Sequence, residues 1–470
     1  MKRNLMNICI YAFGSSPVFA NELIKKCLKE KKDFKFSIIL ESSHYLDLFE
    51  NYKNIKMLCI NKEITNNIDD EINLNELKDY PSNIFKDIES EKKTLKSKKS
   101  DKQFQIAFVR YKLIKSFLKS NNVNHVLYIQ HPENFNSILI ENIAKELMIN
   151  ISVPIHTRNI DRSFFSNSCQ EVLPNCKLIT ANNKKNAIEF LNTFKQQHVS
   201  ASINRQEPFN TLINIQKDSF LKRVYKYLKR LKDEKENREF ITFYVAFVNN
   251  LPIYRDFIWR IRKYFAKKQY SLDSFDNLPK KYIYYPLQYS PESSINIPAP
   301  FYIDQMRIID ALRMNMPNDM KLVVKEHPSC VEVRPLNFVK SLLRKSGVVV
   351  AKYDLDSREL IKHSNIVASV SGTAAFEAFL LNKPSFVMSR TFFDSFIGGP
   401  KGLDNMKEII LEKIEEVITD EQIINALAQI YSVSNKFYGI TAFGHGGVMM
   451  TQENLDMFFN EFLNHIEREK

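Results

Sequence analysis

The sequence predicts an α/β protein of two doubly wound units separated by a basic, helical segment. Three observations predict it. Short runs of β-branched and aromatic residues alternate with amphipathic stretches over residues 1–195, and again over 276–420. Residues 196–275 lose that alternation and turn basic at helical spacing. The chain has 470 residues, 44% hydrophobic and 26% charged, enough apolar material for about three units of roughly 150 residues. That balance excludes disorder across the whole chain. The remaining 421–470 read as C-terminal helices.

The first unit opens with a strand at 7–13, a Gly14-Ser15-Ser16-Pro17 turn and a helix. Lys2-Arg3 ahead of it and Val18-Phe19-Ala20 behind also give the outline of a short signal peptide. The helix is the better reading, because Phe19, Leu23, Ile24, Cys27 and Leu28 continue at helical spacing and Pro17 suits a first turn. Strands follow at 36–40 and 55–60. Residues 62–103 are polar and carry Lys92-Lys93 and Lys96-Ser97-Lys98-Lys99, the composition of an exposed insertion or loop. A helix at 105–119, a strand at 125–130, a helix at 136–147 and a strand at 151–155 complete the alternation.

In the middle segment Leu221, Val224, Tyr225, Leu228 and Leu231 form an apolar stripe. Lys222, Arg223, Lys226, Lys229, Arg230 and Lys232 occupy the opposite face. Tyr254, Trp259, Arg260, Arg262, Lys263, Phe265, Lys267 and Lys268 make a second basic-aromatic stretch. Two readings stand: a solvated helix face, or contact with an anionic membrane surface. The chain as a whole has 67 basic and 54 acidic residues, a net charge of +13. That balance suits a partner rich in phosphate. Nucleic acid is the weaker choice, since no nucleic-acid motif accompanies the basic stretches. No run of about 18 apolar residues predicts a transmembrane helix. Cys9, Cys27, Cys59, Cys169, Cys176 and Cys330 show no CxxC pair and no zinc spacing, which points to reduced thiols in a cytoplasmic protein.

The second unit is the clearest. Strands are expected at 281–287, 321–325, 348–352, 366–369 and 385–388, with helices at 302–314, 335–345, 356–363 and 374–381. Nine of the ten glycines lie at or beyond Gly347, so tight turns concentrate in this half. Neither GxGxxG nor GxxxxGK[ST] occurs, which argues against a dinucleotide site or a P-loop. Ligands of such sheets bind beyond the carboxyl ends of the strands. That rule selects Gln288 after the first strand, Glu326-His327-Pro328 after the second, and Ser371-Gly372-Thr373 after the fourth. The last loop opens a helix, whose free N–H groups and dipole attract phosphate. The alternative is that Ser371 or Thr373 only caps the helix. His327 can donate a hydrogen bond to a phosphate oxygen. Glu377 can accept from ribose hydroxyls, or can simply be a carboxylate favoured near a helix start.

A family resemblance rests on these residues. Tyr284-Tyr285-Pro286-Leu287-Gln288, Leu322 to Pro328, Val370-Ser371-Gly372-Thr373-Ala374-Ala375-Phe376-Glu377-Ala378 and Asn382-Lys383-Pro384 occur in order. Over roughly 280–390 the chain resembles the donor domain of bacterial capsular polysaccharide glycosyltransferases, a GT-B group of two Rossmann-like domains facing a cleft. It is similar to the Kdo-transferring capsule enzymes and, more distantly, to bacterial sialyltransferases with His-Pro and Ser-Ser/Thr motifs. The aspartate-containing serine motif of teichoic-acid-type transferases is missing. The resemblance implies that His327 contacts the nucleotide phosphate or ribose, that Ser371, Gly372 and Thr373 bind the phosphate, and that Gln288 faces the donor. It implies a nucleotide-sugar co-substrate, a CMP-linked acidic sugar being the first choice, with no other cofactor and no metal. The acceptor would be a growing surface polysaccharide or a lipid-linked glycan at the inner membrane face.

An inverting transferase needs a base for the acceptor hydroxyl. Strand-end loops of the first unit offer Glu133, beside His131, and Asp161, near His156 and Arg158. Arg158 and Arg162 either bind an anionic acceptor or neutralise Asp161. Gly444-His445-Gly446-Gly447 reads as a flexible link. Two rival functions share the pattern: a UDP-sugar epimerase of the same architecture, and a non-catalytic membrane-associated binding or assembly protein.

Overall fold

The computed structural model describes residues 6–30, 34–67, 76–90, 100–132, 134–175, 178–196, 261, 264–288, 295, 299–327, 330, 334–439 and 447–468. Glu133, Cys176, the stripe 221–232, most of 254–268, Pro328 and Gly444 to Gly446 lie outside the described residues.

Two sheets organise the chain. The first contains β1 (Met6–Ala12), β2 (Phe34–Leu40), β3 (Lys56–Cys59), β4 (His125–Tyr128), β5 (Asn150–His156) and β6 (Ser163–Ser166). Its order is β3-β2-β1-β4-β5-β6, parallel except for β6, which runs antiparallel to β5. The second contains β7 (Tyr282–Pro286), β8 (Lys321–Lys325), β9 (Val348–Ala351), β10 (Ile366–Ser369) and β11 (Ser385–Val387), all parallel, in the order β11-β10-β7-β8-β9. Apart from β6, both sheets have one topology. The chain winds outward in one direction and then reverses, between β1 and β4 in the first and between β7 and β10 in the second. Such a reversal opens a crevice where the flanking loops diverge, which is where ligands of open α/β sheets bind. The α/β class and the paired Rossmann-like units agree with the sequence reading.

The strands form because both of their faces are covered. In β1, Ile8, Ile10 and Ala12 enter one core while Cys9 and Tyr11 enter another. In β7, Ile283 and Tyr285 face one layer and Tyr282 and Tyr284 the other. A strand buried on both sides reads as a continuous apolar run, so these strands were legible. The helix Ser16–Glu30 begins as expected, with Gly14 at φ +60 and Ser16 N–H donating to the Phe13 carbonyl at 3.1 Å.

Three elements depart from the expectation. The polar stretch 62–103 is not simply an exposed loop. It contains the end of the helix Ile60–Asn67, the helix Ile84–Ser90 and the start of the helix Ser100–Ser120. Sparse apolar residues suffice there: Ile64 and Tyr80 are buried, and Tyr111 Oη donates to the Asp79 carbonyl at 2.6 Å. Strand β6 went unpredicted because it is four residues long, yet Phe164 and Phe165 enter opposite cores. The helix Ala181–Gln196 was also missed; only Ala187, Leu191 and Phe194 are buried on it.

The two units are packed together. One core holds Leu191 and Phe194 of the first part with Phe376, Phe379 and Phe393 of the second. The last helix, Gln452–Arg468, follows the second sheet in sequence but packs on the first, through Leu455, Phe458, Phe459, Phe462 and Ile466. The five described cysteines are all buried and free. Among the described residues no helix is long and apolar enough to cross a membrane.

Phe458 is fully buried, with its ring against Phe19 at 5.3 Å, Phe165 at 5.2 Å and Phe437 at 5.7 Å. Phe458→Ala is expected to cost about 3–5 kcal/mol in chemical denaturation. A loss below about 1 kcal/mol would show that the last helix does not stabilise the first sheet.

Candidate active site

At the second reversal, β7 and β10 end side by side. Beyond β7, Leu287 N–H donates to the Lys325 carbonyl at 2.8 Å, and Gln288 follows, buried. Its N–H donates to Gln305 Oε1 at 2.8 Å, and its carbonyl accepts from Gln305 Nε2 at 3.2 Å and Arg334 Nη2 at 2.8 Å. Its side-chain Nε2 donates to Ser369 Oγ at 2.8 Å, across to the last residue of β10. The same hydroxyl accepts the Gly372 N–H at 3.0 Å. A Cβ at Gly372 would lie 2.6 Å from Gln288 Nε2 and 2.8 Å from Ser369 Oγ. Any side chain there would push the Gln288 amide and the Ser369 hydroxyl aside, and the constraint is packing rather than φ, which is −76°.

Gly372 is the N-cap of the helix Thr373–Leu380 and brings no side chain of its own to cap the first turn. The N-cap position itself is thus held by Gly372 rather than by Ser371 or Thr373. Ser371 is buried, while Thr373 and Glu377 are half-buried. Burial pushes the Glu377 carboxyl up; the Asn159 amide, donating from Nδ2 at 3.3 Å, works against that.

His327 lies beyond β8 and is exposed. Its N–H donates to Glu326 Oε1 at 2.8 Å, and Glu326 Oε2 accepts from Arg334 Nε at 2.5 Å. Because Arg334 also binds the Gln288 carbonyl, one buried ion pair ties the His327 loop to the end of β7. Burial raises the Glu326 carboxyl, and the Arg334 charge opposes it.

The first unit supplies the facing wall. Arg158 begins a 3₁₀ turn after β5, and its Nη1 donates to the Ser371 carbonyl at 3.1 Å. Its Nη2 donates to Glu171 Oε1 at 2.6 Å, and His131 Nε2 lies 2.9 Å from the same oxygen. Asp161 does stand at a strand end, but its partners are His156 Nε2 at 3.3 Å and the Tyr438 hydroxyl at 3.0 Å. Arg162 holds the Ser434 carbonyl and hydroxyl, 3.1 and 3.0 Å from its Nε. The two arginines thus bond to Glu171, Ser371 and Ser434, and neither ion-pairs with Asp161 as the sequence alternative supposed.

The fold brings Gln288, Ser371, Gly372, Thr373 and Glu377 together and joins His327 to them through Glu326 and Arg334. Asp161 is held by His156 and Tyr438, and Glu133 lies outside the described residues. Sequence reasoning missed Glu171 and Asn159. Neither belongs to a motif, and no local pattern marks them. Buried Glu171 would be raised by burial, but Arg158 and His131 overcome this and hold its carboxyl at about 2, against an ordinary 4.5. A depressed carboxylate stabilises the fold above its unfolded pKa and loses that contribution as pH falls through the folded one. The window here is pH 4.5 down to 2. Glu171→Gln is expected to lose about 2–3 kcal/mol at pH 7 and to flatten the acid limb of the stability–pH curve. A curve unchanged from wild type would refute this ion-pair assignment.

One comparison with known proteins covers these loops of the second unit. Residues 240–399 match the family model described as capsule polysaccharide biosynthesis protein. The capsule polysaccharide export protein KpsS of Escherichia coli is 27% identical over 161 residues, 30% of this chain and 40% of KpsS. The match therefore spans less than half of that relative's length. Among solved structures, the KpsC β-Kdo 2,7-transferase of Thermosulfurimonas dismutans aligns with 75% of this chain and 89% of its own, at 11% identity and a TM-score of 0.30. The UDP-GlcNAc 2-epimerase of Methanocaldococcus jannaschii aligns with 89% of this chain and 94% of its own, at 13% identity and a TM-score of 0.24. Both structural likenesses are remote. The segment that matches the capsule polysaccharide biosynthesis family model, residues 240–399, includes the Gln288 strand end, the His327 loop and the Ser371–Thr373 loop.

Proposed function

We propose that the chain is a glycosyltransferase that moves a sugar from a nucleotide-sugar donor to a growing capsular or other surface polysaccharide. The observation that carries the reading is the β7–β10 reversal, where Gly372 packs on Gln288 and Ser369 and a helix without a side-chain cap begins, inside the family-matched segment. The donor phosphate would lie at the N-terminus of the helix Thr373–Leu380, with Ser371 and Thr373 hydroxyls beside it. His327 would donate to the phosphate or ribose and stabilise charge on the leaving nucleotide. Glu377 would accept from the ribose.

The proposed step is one displacement with inversion. The acceptor hydroxyl attacks the anomeric carbon, the bond to the nucleotide phosphate breaks with its electron pair, and a carboxylate of the first unit takes the hydroxyl proton. Asp161 and Glu133 are the candidates for that base. The helix N-terminus and His327 would do the work of a cation, so the reading includes no metal. A CMP-linked acidic sugar is the donor favoured by the resemblance. The exposed pair Tyr264 and Phe265, next to exposed Lys267 and Lys268, supports a further element, contact with the inner membrane face where a lipid-linked acceptor would be.

The test is thermal stabilisation by CMP, CDP, UDP and GDP of the wild type, His327→Ala and Gly372→Ala. One nucleotide at 100 times its Kd is expected to stabilise the wild type by about 2.7 kcal/mol. Both variants are expected to lose most of that gain, Gly372→Ala because its Cβ displaces the Gln288 amide from Ser369. No gain with any of the four, or equal gains in all three proteins, would overturn the donor-site reading.

A further inference from the structure

We infer that Arg158, a residue of the first unit, is a ligand of the donor's phosphate and that Glu171 is its positioning residue. The inference rests on the donor-site reading above and adds the facing half of that site. Its basis is the charge arrangement at the Ser371–Thr373 loop.

The guanidinium of Arg158 reaches the Ser371 carbonyl, 3.1 Å from Nη1, two residues before the helix Thr373–Leu380 begins. A helix start carries partial positive charge and ordinarily attracts anions, so a cation beside it is electrostatically misplaced. Arg158 stays there because Glu171 Oε1 holds Nη2 at 2.6 Å. That oxygen is shared with His131 Nε2 at 2.9 Å. One carboxylate oxygen thus serves two basic side chains. A phosphate placed between Arg158 and the helix start would meet the guanidinium and the positive end of the helix dipole together.

The backbone points the same way. Arg158, Asp161 and Glu171 all adopt left-handed φ values, 54°, 55° and 55°. Such values are uncommon for residues other than glycine and persist where the surroundings enforce them. Here the enforcing contacts include Arg158 N–H on His156 Nδ1 at 3.1 Å and Asp161 N–H on the Arg158 carbonyl at 3.1 Å. The strained turn puts the guanidinium against the opposite unit instead of into solvent. Arginine suits the role, since its planar fork can keep one arm on Glu171 while the other binds a phosphate oxygen.

The experiment is calorimetric titration of the wild type, Arg158→Lys and Arg158→Ala with CMP and UDP, and with cytidine and uridine, which lack the phosphate. The wild type is expected to bind one nucleotide. Arg158→Ala is expected to bind that nucleotide at least 10-fold more weakly, with the matching nucleoside within 2-fold of wild type. Arg158→Lys, which keeps the charge, is expected to recover part of the loss. Nucleotide binding by Arg158→Ala equal to wild type would overturn this inference and leave the donor site standing. Equal loss of nucleotide and nucleoside in both variants would overturn it too, because Arg158 would then be holding the two units in place. A wild type that binds neither nucleotide would overturn the donor-site reading and this inference with it.

Discussion

The hydroxyl of Ser369 is the contact on which the candidate site depends. It stands at the end of β10 and accepts from Gln288 Nε2 at the end of β7 and from the N–H of Gly372. With two acceptor lone pairs on one buried oxygen, it fixes both strand ends and the loop between them. The glycine suits this contact: a Cβ would displace that oxygen or the Gln288 amide. As N-cap, that glycine brings no side chain of its own to the helix start. A buried polar contact of this kind orients several groups at once, and each would be left unpaired if one were removed.

The second constraint is the packing of the two units against each other. Arg158 reaches Ser371, Asn159 reaches Glu377, and Lys195 binds Asn382 Oδ1 at 2.7 Å. Behind these polar contacts lies a shared apolar core running from Phe194 to Phe376 and Phe393. The last helix extends the connection by returning to the first sheet. Residues of both units therefore meet at the Ser371–Thr373 loop, where the Arg158 guanidinium of the first unit reaches the Ser371 carbonyl of the second. Glu171 holds that guanidinium from a position that no motif marks.

Much of the fold was legible because its strands are buried on two sides. Residues such as Ile8 to Ala12 and Ile283 to Tyr285 can only read as apolar runs, so their positions emerged to within two residues. The polar stretch 62–103 was harder, since Ile84 and Ile88 are only partly buried and the surrounding lysines dominate the pattern. Strand β6 has two aromatic residues and nothing else to announce it. In the site, Gln288, His327 and Ser371 to Thr373 were legible from the rule that ligands meet strand ends. The resemblance implies phosphate binding at Gly372, and in the fold its tightest neighbours are Gln288 and Ser369. Arg158 was seen, but its partners Glu171 and Ser371 are 13 and 213 residues away in sequence, and only the folded chain brings them together.

The most direct test is an experimental structure of the protein with CMP, and separately with UDP, bound. The account predicts one nucleotide at the β7–β10 reversal, its phosphate between the N-terminus of the helix Thr373–Leu380 and the Arg158 guanidinium. A nucleotide found elsewhere would contradict it, for example in the cavity of about 710 Å³ lined by Phe165, Ser168, Ser432 and Arg468.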